Sequence, residues 1–241
     1  MRSTHHRRKA AAQKRSSVRA STFVAVSDRR SAGSPLARIC HAWRVADAHS
    51  LQCELEILRE LEREIRERLY SVEAGGARAR ACAALAAAAA ERAYARSTGL
   101  AALLNETSDL WRAHLADVWR YLEGDQQRFE TLSRAIAGFL TSPLNHIDGQ
   151  DGPDDFDRPQ TIASYSAAAS VVFWGVDFAT TAVNQIFELI DMQYDWEFPP
   201  ERTVEVEHER DWALDACFKI VAAASSGSRG ITPVLLAQFQ P

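Results

Sequence analysis

No stretch of this 241-residue chain reaches the roughly 18 consecutive apolar residues needed to cross a bilayer; the longest apolar segment, Ser166 to Val176, is followed at once by Asp177. The first residues contain no apolar core of a secretory signal. A GxSxG elbow, an HExxH or HxxxH pair, a CxxC pair and a glycine-rich loop after a strand are all missing. Those absences remove the usual signatures of serine hydrolases, zinc proteases, zinc ribbons and nucleotide-binding folds. The four cysteines, Cys40, Cys53, Cys82 and Cys217, sit among apolar or alanine-rich positions, where a thiol behaves as a small hydrophobe. They read as reduced and buried, which points to a cytoplasmic protein.

Charge is abundant but unevenly placed. Residues 1–45 carry eleven Lys or Arg against Asp28 alone, whereas the remainder carries 17 basic and 31 acidic residues, so a basic arm precedes a body of net charge −14. A body of that sign disfavours nucleic acid as a partner; only the arm could neutralise phosphates, and without sequence preference. Residues 1–33, rich in Arg, Ser and Ala, have no sustained apolar period and read as a disordered arm.

From Ser34-Pro35 onward the apolar residues recur every three or four positions. Ser34 suits an N-cap and Pro35 the first helical position. Leu51, Leu55, Leu58, Leu61, Ile65 and Leu69 continue a long amphipathic helix over 34–70, with the charges of Glu54 to Arg68 assigned to its solvated face and Glu62–Arg66 and Glu64–Arg68 in i, i+4 register. Gly75-Gly76 ends it. Ala77 to Arg96 is alanine-dominated, the pattern of a central helix approached on several sides. Ser108–Leu122, with Leu110, Trp111, Leu115, Val118 and Trp119, and Gln126–Leu140, with Phe129, Leu132, Ile136 and Phe139, form two more helices around the turn Glu123-Gly124-Asp125. Thr141 to Pro159 has no apolar period and reads as a long loop. Thr161 to Met192 is one helix, or two with a bend near Gly175. Glu201 to Ala224 is a final amphipathic helix whose core face is assigned to Val204, Trp212, Leu214, Ala216, Phe218 and Val221, followed by an apolar tail, Ile231 to Phe239. The fold class is all-α: an irregular or orthogonal multi-helix bundle over 71–241, led into by the long helix.

Candidate sites are few. Asp148, Asp151, Asp154, Asp155 and Asp157 cluster in the loop, and Asp154, Asp155 and Asp157 are the candidates for a hard cation, with His146 or His208 nearby in an enzymatic version. The spacing is not that of an EF-hand and no glutamate closes the site, so the favoured reading of Asp154, Asp155 and Asp157 is helix capping or Asx turns, with Phe156 as a core anchor. Glu205, Glu207, Glu209 and Asp211 suit the positive end of a helix dipole.

The order of several short motifs resembles the YjaG-like bacterial proteins, an all-helical family of unknown function, over about Arg66 to Gln240. The residues that carry the resemblance are Glu91-Arg92 and Tyr94, Trp119, the loop Asp154-Asp155-Phe156-Asp157, and Trp212 with Phe218. The resemblance implies a helical bundle able to self-associate and no chemistry, cofactor or catalytic residue. The function these readings favour is a non-enzymatic module that binds another protein or itself through an acidic, aromatic-bearing surface, in one version an immunity-type protein masking a basic toxin. The alternatives are a metal-binding or hydrolytic bundle built on the aspartate loop, and an anionic-surface binder acting through the arm.

Overall fold

The computed structural model describes residues 35–97, 106–141, 158–194, 197–226, and 231, 235 and 237–239, with the side chains of the first helix described from Leu51. Among these residues there are seven α-helices and no strand: α1 Pro35–Ser71, α2 Gly76–Ser97, α3 Glu106–Glu123, α4 Arg128–Thr141, α5 Arg158–Phe173, α6 Val176–Gln193 and α7 Pro200–Ser225. No helix of the described residues is long and apolar enough to cross a membrane. The chain divides into two compact units, 1–46 and 47–241; of the first, only the opening turns of α1 are described. Residues 1–33 and the aspartate loop, with Asp154, Asp155, Phe156, Asp157 and His146, lie outside the described residues.

The second unit is organised around α2. Residues 81–91 are buried without interruption, about three full turns, so this helix has no solvent face along its middle. Alanine makes that possible. With side chains ending at Cβ, neighbouring helices approach closely on every side, and α3, α5, α6 and α7 all pack on α2. Helix α5 uses the same device, burying Ala163, Ala167, Ala168 and Ala169 along with Ser164, Ser166 and Ser170. Helix α4 packs on α3 and α5, outside the centre.

Turn chemistry sets the corners. Gly75 has φ +108° and Gly124 φ +118°, left-handed values that any Cβ would strain. At Gly124 the backbone closes as a Schellman motif, Gly124 donating to the Tyr121 carbonyl and Asp125 to that of Arg120. The bend expected near Gly175 is a true break. Trp174 takes φ +55°, rare for a bulky residue, and a Cβ on Gly175 would stand 2.9 Å from the Phe178 ring.

Helix α1 contributes Leu61, Ile65 and Leu69, each about 1% exposed or less, together with the expected Glu62–Arg66 and Glu64–Arg68 pairs. Two assignments on it are corrected. Leu51 and Leu55 are exposed, and Glu54, assigned to the solvated face, is buried. Glu54 stands seven residues before Leu61 and eleven before Ile65, hence in phase with the core stripe. Elsewhere Leu110 and Phe129 also turn outward, while Trp111, Leu115, Val118, Trp119, Leu132 and Ile136 take their expected core places. Cys82 and Cys217 are buried as expected, but Cys53 is only partly so.

Gln160, on the core face of α5, is fully buried, and neither atom of its amide has a hydrogen-bond partner among the described residues; Ser164 Oγ, one turn on, has none among them either. A buried amide without partners costs about 1–3 kcal/mol. Gln160→Met, close in volume and apolar, is therefore expected to raise the unfolding free energy by about 1 kcal/mol, measured by urea denaturation against the parent chain.

Candidate functional site

The final helix departs most from its sequence reading. Its buried face is Arg202, Val206, Glu209, Ala213, Ala216, Cys217, Ile220 and Ala224. Val204 and Phe218, assigned to the core, are 65% and 57% exposed, while Trp212 and Leu214 are half-buried. The reason is that the true core stripe contains two ionisable residues, Arg202 and Glu209, so an apolar pattern read along the sequence drifts to the wrong side. Nor do Glu205 to Asp211 sit at a helix start: α7 begins at Pro200, and Glu209 lies more than two turns inside it, beyond the reach of the dipole.

The buried ionisable residues are tied into three clusters. In the first, Glu209 accepts from Arg92 through Nε (3.0 Å) and Nη2 (2.9 Å) and from Arg96 through Nη1 (2.9 Å). Arg96 also bridges to Glu205, whose other oxygen accepts from the Tyr194 hydroxyl at 2.8 Å. In the second, Glu91 accepts from the Trp119 indole at 2.9 Å and from Arg112, whose guanidinium lies 4.6 Å from the centre of the Tyr94 ring. In the third, Arg202 donates through Nε to Glu54 (3.0 Å) and also pairs with Asp191, with the Phe198 ring 4.2 Å below.

These contacts fix the helix directions. Glu91–Arg112 and the Arg80 bond to the Leu122 carbonyl run α3 antiparallel to α2. Glu54–Arg202 at one end and Arg68 over Phe218 at the other run α7 parallel to α1. Arg66–Asp177 and the shared Arg202 place α6 antiparallel to α1.

Each of the carboxylates Glu54, Glu91 and Glu209 is thus engaged by at least one guanidinium, the arrangement of interlocking ties rather than of an acid and base poised to exchange protons. No group of three or more His, Cys, Asp or Glu among the described residues is gathered as a metal ion requires. His208 is exposed on α7, and His114, whose pKa burial pushes below its usual value against the pull of Asp117, packs edge-on to Trp111. The thiols of Cys82 and Cys217 are pushed up by burial to about 11 and about 12. At neutral pH neither is a nucleophile.

Of the residues that carry the family resemblance, Glu91, Arg92, Tyr94, Trp119 and Trp212 are brought together. Arg92 lies 5.5 Å from the centre of the Trp212 ring. Phe218 is not part of that group, since it faces outward beside Arg68. Beside the cluster a cleft of about 200 Å³ opens between α2, Trp212 and the tail, lined by Ala88, Glu91, Arg92, Ala95, Gln238 and Phe239 among others.

A second surface lies on the opposite side of α7. Glu201, Val204, Glu207, Asp211, Asp215 and Phe218 recur at three- and four-residue intervals and are all exposed, giving a stripe in which Glu207, Asp211 and Asp215 lie between two apolar anchors, Val204 and Phe218, with Glu201 beyond the first. Asp211 pairs with Arg210 and Asp215 with Lys219; Glu201 and Glu207 pair with no cation among the described residues.

Two expectations follow from the ionic ties. Glu209→Ala leaves Arg92 and Arg96 without their shared buried acceptor and should cost about 3–5 kcal/mol, whereas Glu205→Ala, at a one-third exposed position, should cost markedly less in the same denaturation series. At the third cluster one arginine serves two acids, and burial raises the Asp191 pKa above its ordinary 3.8 despite the counteracting Arg202. A raised folded-state value means that Asp191 contributes in full below pH 3.8 and loses that contribution as pH rises through its folded pKa. The stability of Asp191→Asn relative to the parent should therefore climb as pH rises above 3.8, read from denaturation midpoints at each pH.

Compared with known proteins, the chain matches no protein-family model, no curated protein and no solved structure.

Proposed function

We propose that this chain is a non-enzymatic protein-binding module whose recognition surface is the outer stripe of α7 and whose partner is a basic, amphipathic protein segment. The observation that carries this reading is the exposure of Val204 and Phe218 on a helix whose other face is fully engaged. Apolar side chains more than half exposed in phase with carboxylates are what a partner helix needs: anchors to desolvate and charge to orient it. Burying both anchors stabilises a complex by roughly 2–4 kcal/mol, and the net charge of the body steers a basic partner toward it.

Charge also argues for a different protein over a second copy. In a two-fold contact through this face, Glu201 and Glu207 would oppose carboxylates of the same stripe, and like charges brought together disfavour association. The buried clusters act as scaffold, holding α7 by its inner face so that the outer face is presented rigidly.

Titration of the full chain with a synthetic Lys/Arg-rich amphipathic helical peptide tests the proposal. Binding is expected in about 50 mM salt, weakened at least about tenfold in 500 mM salt as screening shortens the reach of the carboxylates. The double variant Glu207→Lys/Asp211→Lys and the single variant Phe218→Ser should each lose about tenfold in affinity, or about 1.4 kcal/mol. Absence of binding, or equal binding by the parent and by these surface variants, would refute the assignment.

A further inference from the structure

The cleft beside Trp212 lies on the other flank of α7 and is not used by the proposed protein contact. Its floor comes from one face of α2, where Ala88, Glu91, Arg92 and Ala95 follow at i, i+3, i+4 and i+7. The two alanines stop at Cβ, and the opening between the charged pair and the Phe239 ring exists because of them. Glu91 is closed to a ligand cation, because its two oxygens already accept from Trp119 and Arg112 and its side chain is only 9% exposed.

Arg92 differs. Its Nε and Nη2 form the side-on fork with Glu209, and one face of the guanidinium is covered by Trp212. Nη1 donates to no group among the described residues, and the side chain is 32% exposed. A guanidinium held rigid on one edge and open on the other is a preorganised acceptor for a carboxylate, which pairs with it through two parallel hydrogen bonds. Gln238, exposed at the tail, places an amide at the same rim. Opposite the polar edge, Phe239 and the alanine methyls offer an apolar wall.

From this pairing of an open guanidinium edge with an apolar slot, we infer that the cleft binds a small monocarboxylate with an aromatic or branched apolar body. Its carboxylate sits on Arg92 and its body lies between Phe239 and the α2 floor. At about 30 Å³ per water-sized unit, the 200 Å³ of the cleft holds about seven such units, the scale of a small monocarboxylate. The docked tail supplies one wall, so occupancy holds residues 238–239 against α2.

The test uses the full chain with phenylacetate as probe and phenylacetamide as its uncharged counterpart, followed by ligand-observed saturation-transfer NMR and by titration. Phenylacetate is expected to bind with a dissociation constant below about 1 mM, and the amide at least about tenfold more weakly. Ala95→Phe, at an exposed position, should fill the slot and abolish binding without altering the helical circular dichroism; Phe239→Ala should weaken it about threefold or more. Arg92→Gln should abolish the preference for the acid over the amide, and if that variant fails to fold, Ala95→Phe alone decides. No transfer to phenylacetate, equal binding of acid and amide by the parent, or undiminished binding in Ala95→Phe overturns the inference.

Discussion

A helix whose side chains end at Cβ can be enclosed by neighbours on every side, and the second unit of this protein depends on that property of α2. Through Ala81 to Ala90 the cylinder is thin enough for α3, α5, α6 and α7 to close around it, and α5 repeats the solution with alanine and serine. Such a centre has little tolerance. Away from the cleft, an added methylene on the buried stretch of α2 must displace a helix, since close-packed interiors have no slack to absorb it. Thin helices also bury less apolar area per residue than leucine-rich ones. The larger side chains that make up the difference, Trp111, Leu61, Ile65, Leu69, Leu115, Leu122, Ile186 and Ile190, come mainly from the surrounding helices.

The unit is polarised along its length. At the end where α2 and α6 finish and α7 begins, Arg92, Arg96, Arg112 and Arg202 engage Glu91, Glu205, Glu209, Glu54 and Asp191. Toward the opposite end lie Cys82 and Cys217, among apolar neighbours, with Cys82 close enough to add to the upward push on the Cys217 thiol. The buried ionic ties at one end resist displacement, because a shifted helix would strand a buried charge, whereas apolar contacts alone tolerate sliding. Both surfaces with binding character border α7, which shares its inner face with the ties and leaves its flank and outer face available.

The rods themselves were legible in the sequence. Period, the glycines at 75 and 124, and the proline at 35 place the helices to within a few residues, and of the two readings left open for Thr161 to Met192, one helix or two, the structure has two. Which face of α7 is buried was not legible, and neither was the role of Glu54. Both failures have one cause: a charged residue on a core stripe counts as evidence for solvent unless its partner is known, and Glu54 and Arg202 are 148 residues apart. A usable signal did exist. Glu54 with Leu61 and Ile65, and Arg202 with Glu209 and Ala213, repeat at seven and eleven residues, so a carboxylate or guanidinium in register with leucine or alanine marks a buried ion pair. Of the candidate site, the cluster of Glu91, Arg92, Trp119 and Trp212 was in view through the resemblance, but the cleft was not, since it depends on the tail lying beside α2.

The two buried thiols carry a consequence for how the molecule's internal motion can be followed. With their pKa values near 11 and 12, Cys82 and Cys217 expose almost no thiolate at neutral pH, and both side chains are sealed where α2 meets α7. An alkylating reagent can reach them only when those two helices part. The pace of their modification is therefore a clock for that separation, wound by the protein itself, and it reads the frequency of opening at the centre of the fold without any introduced label.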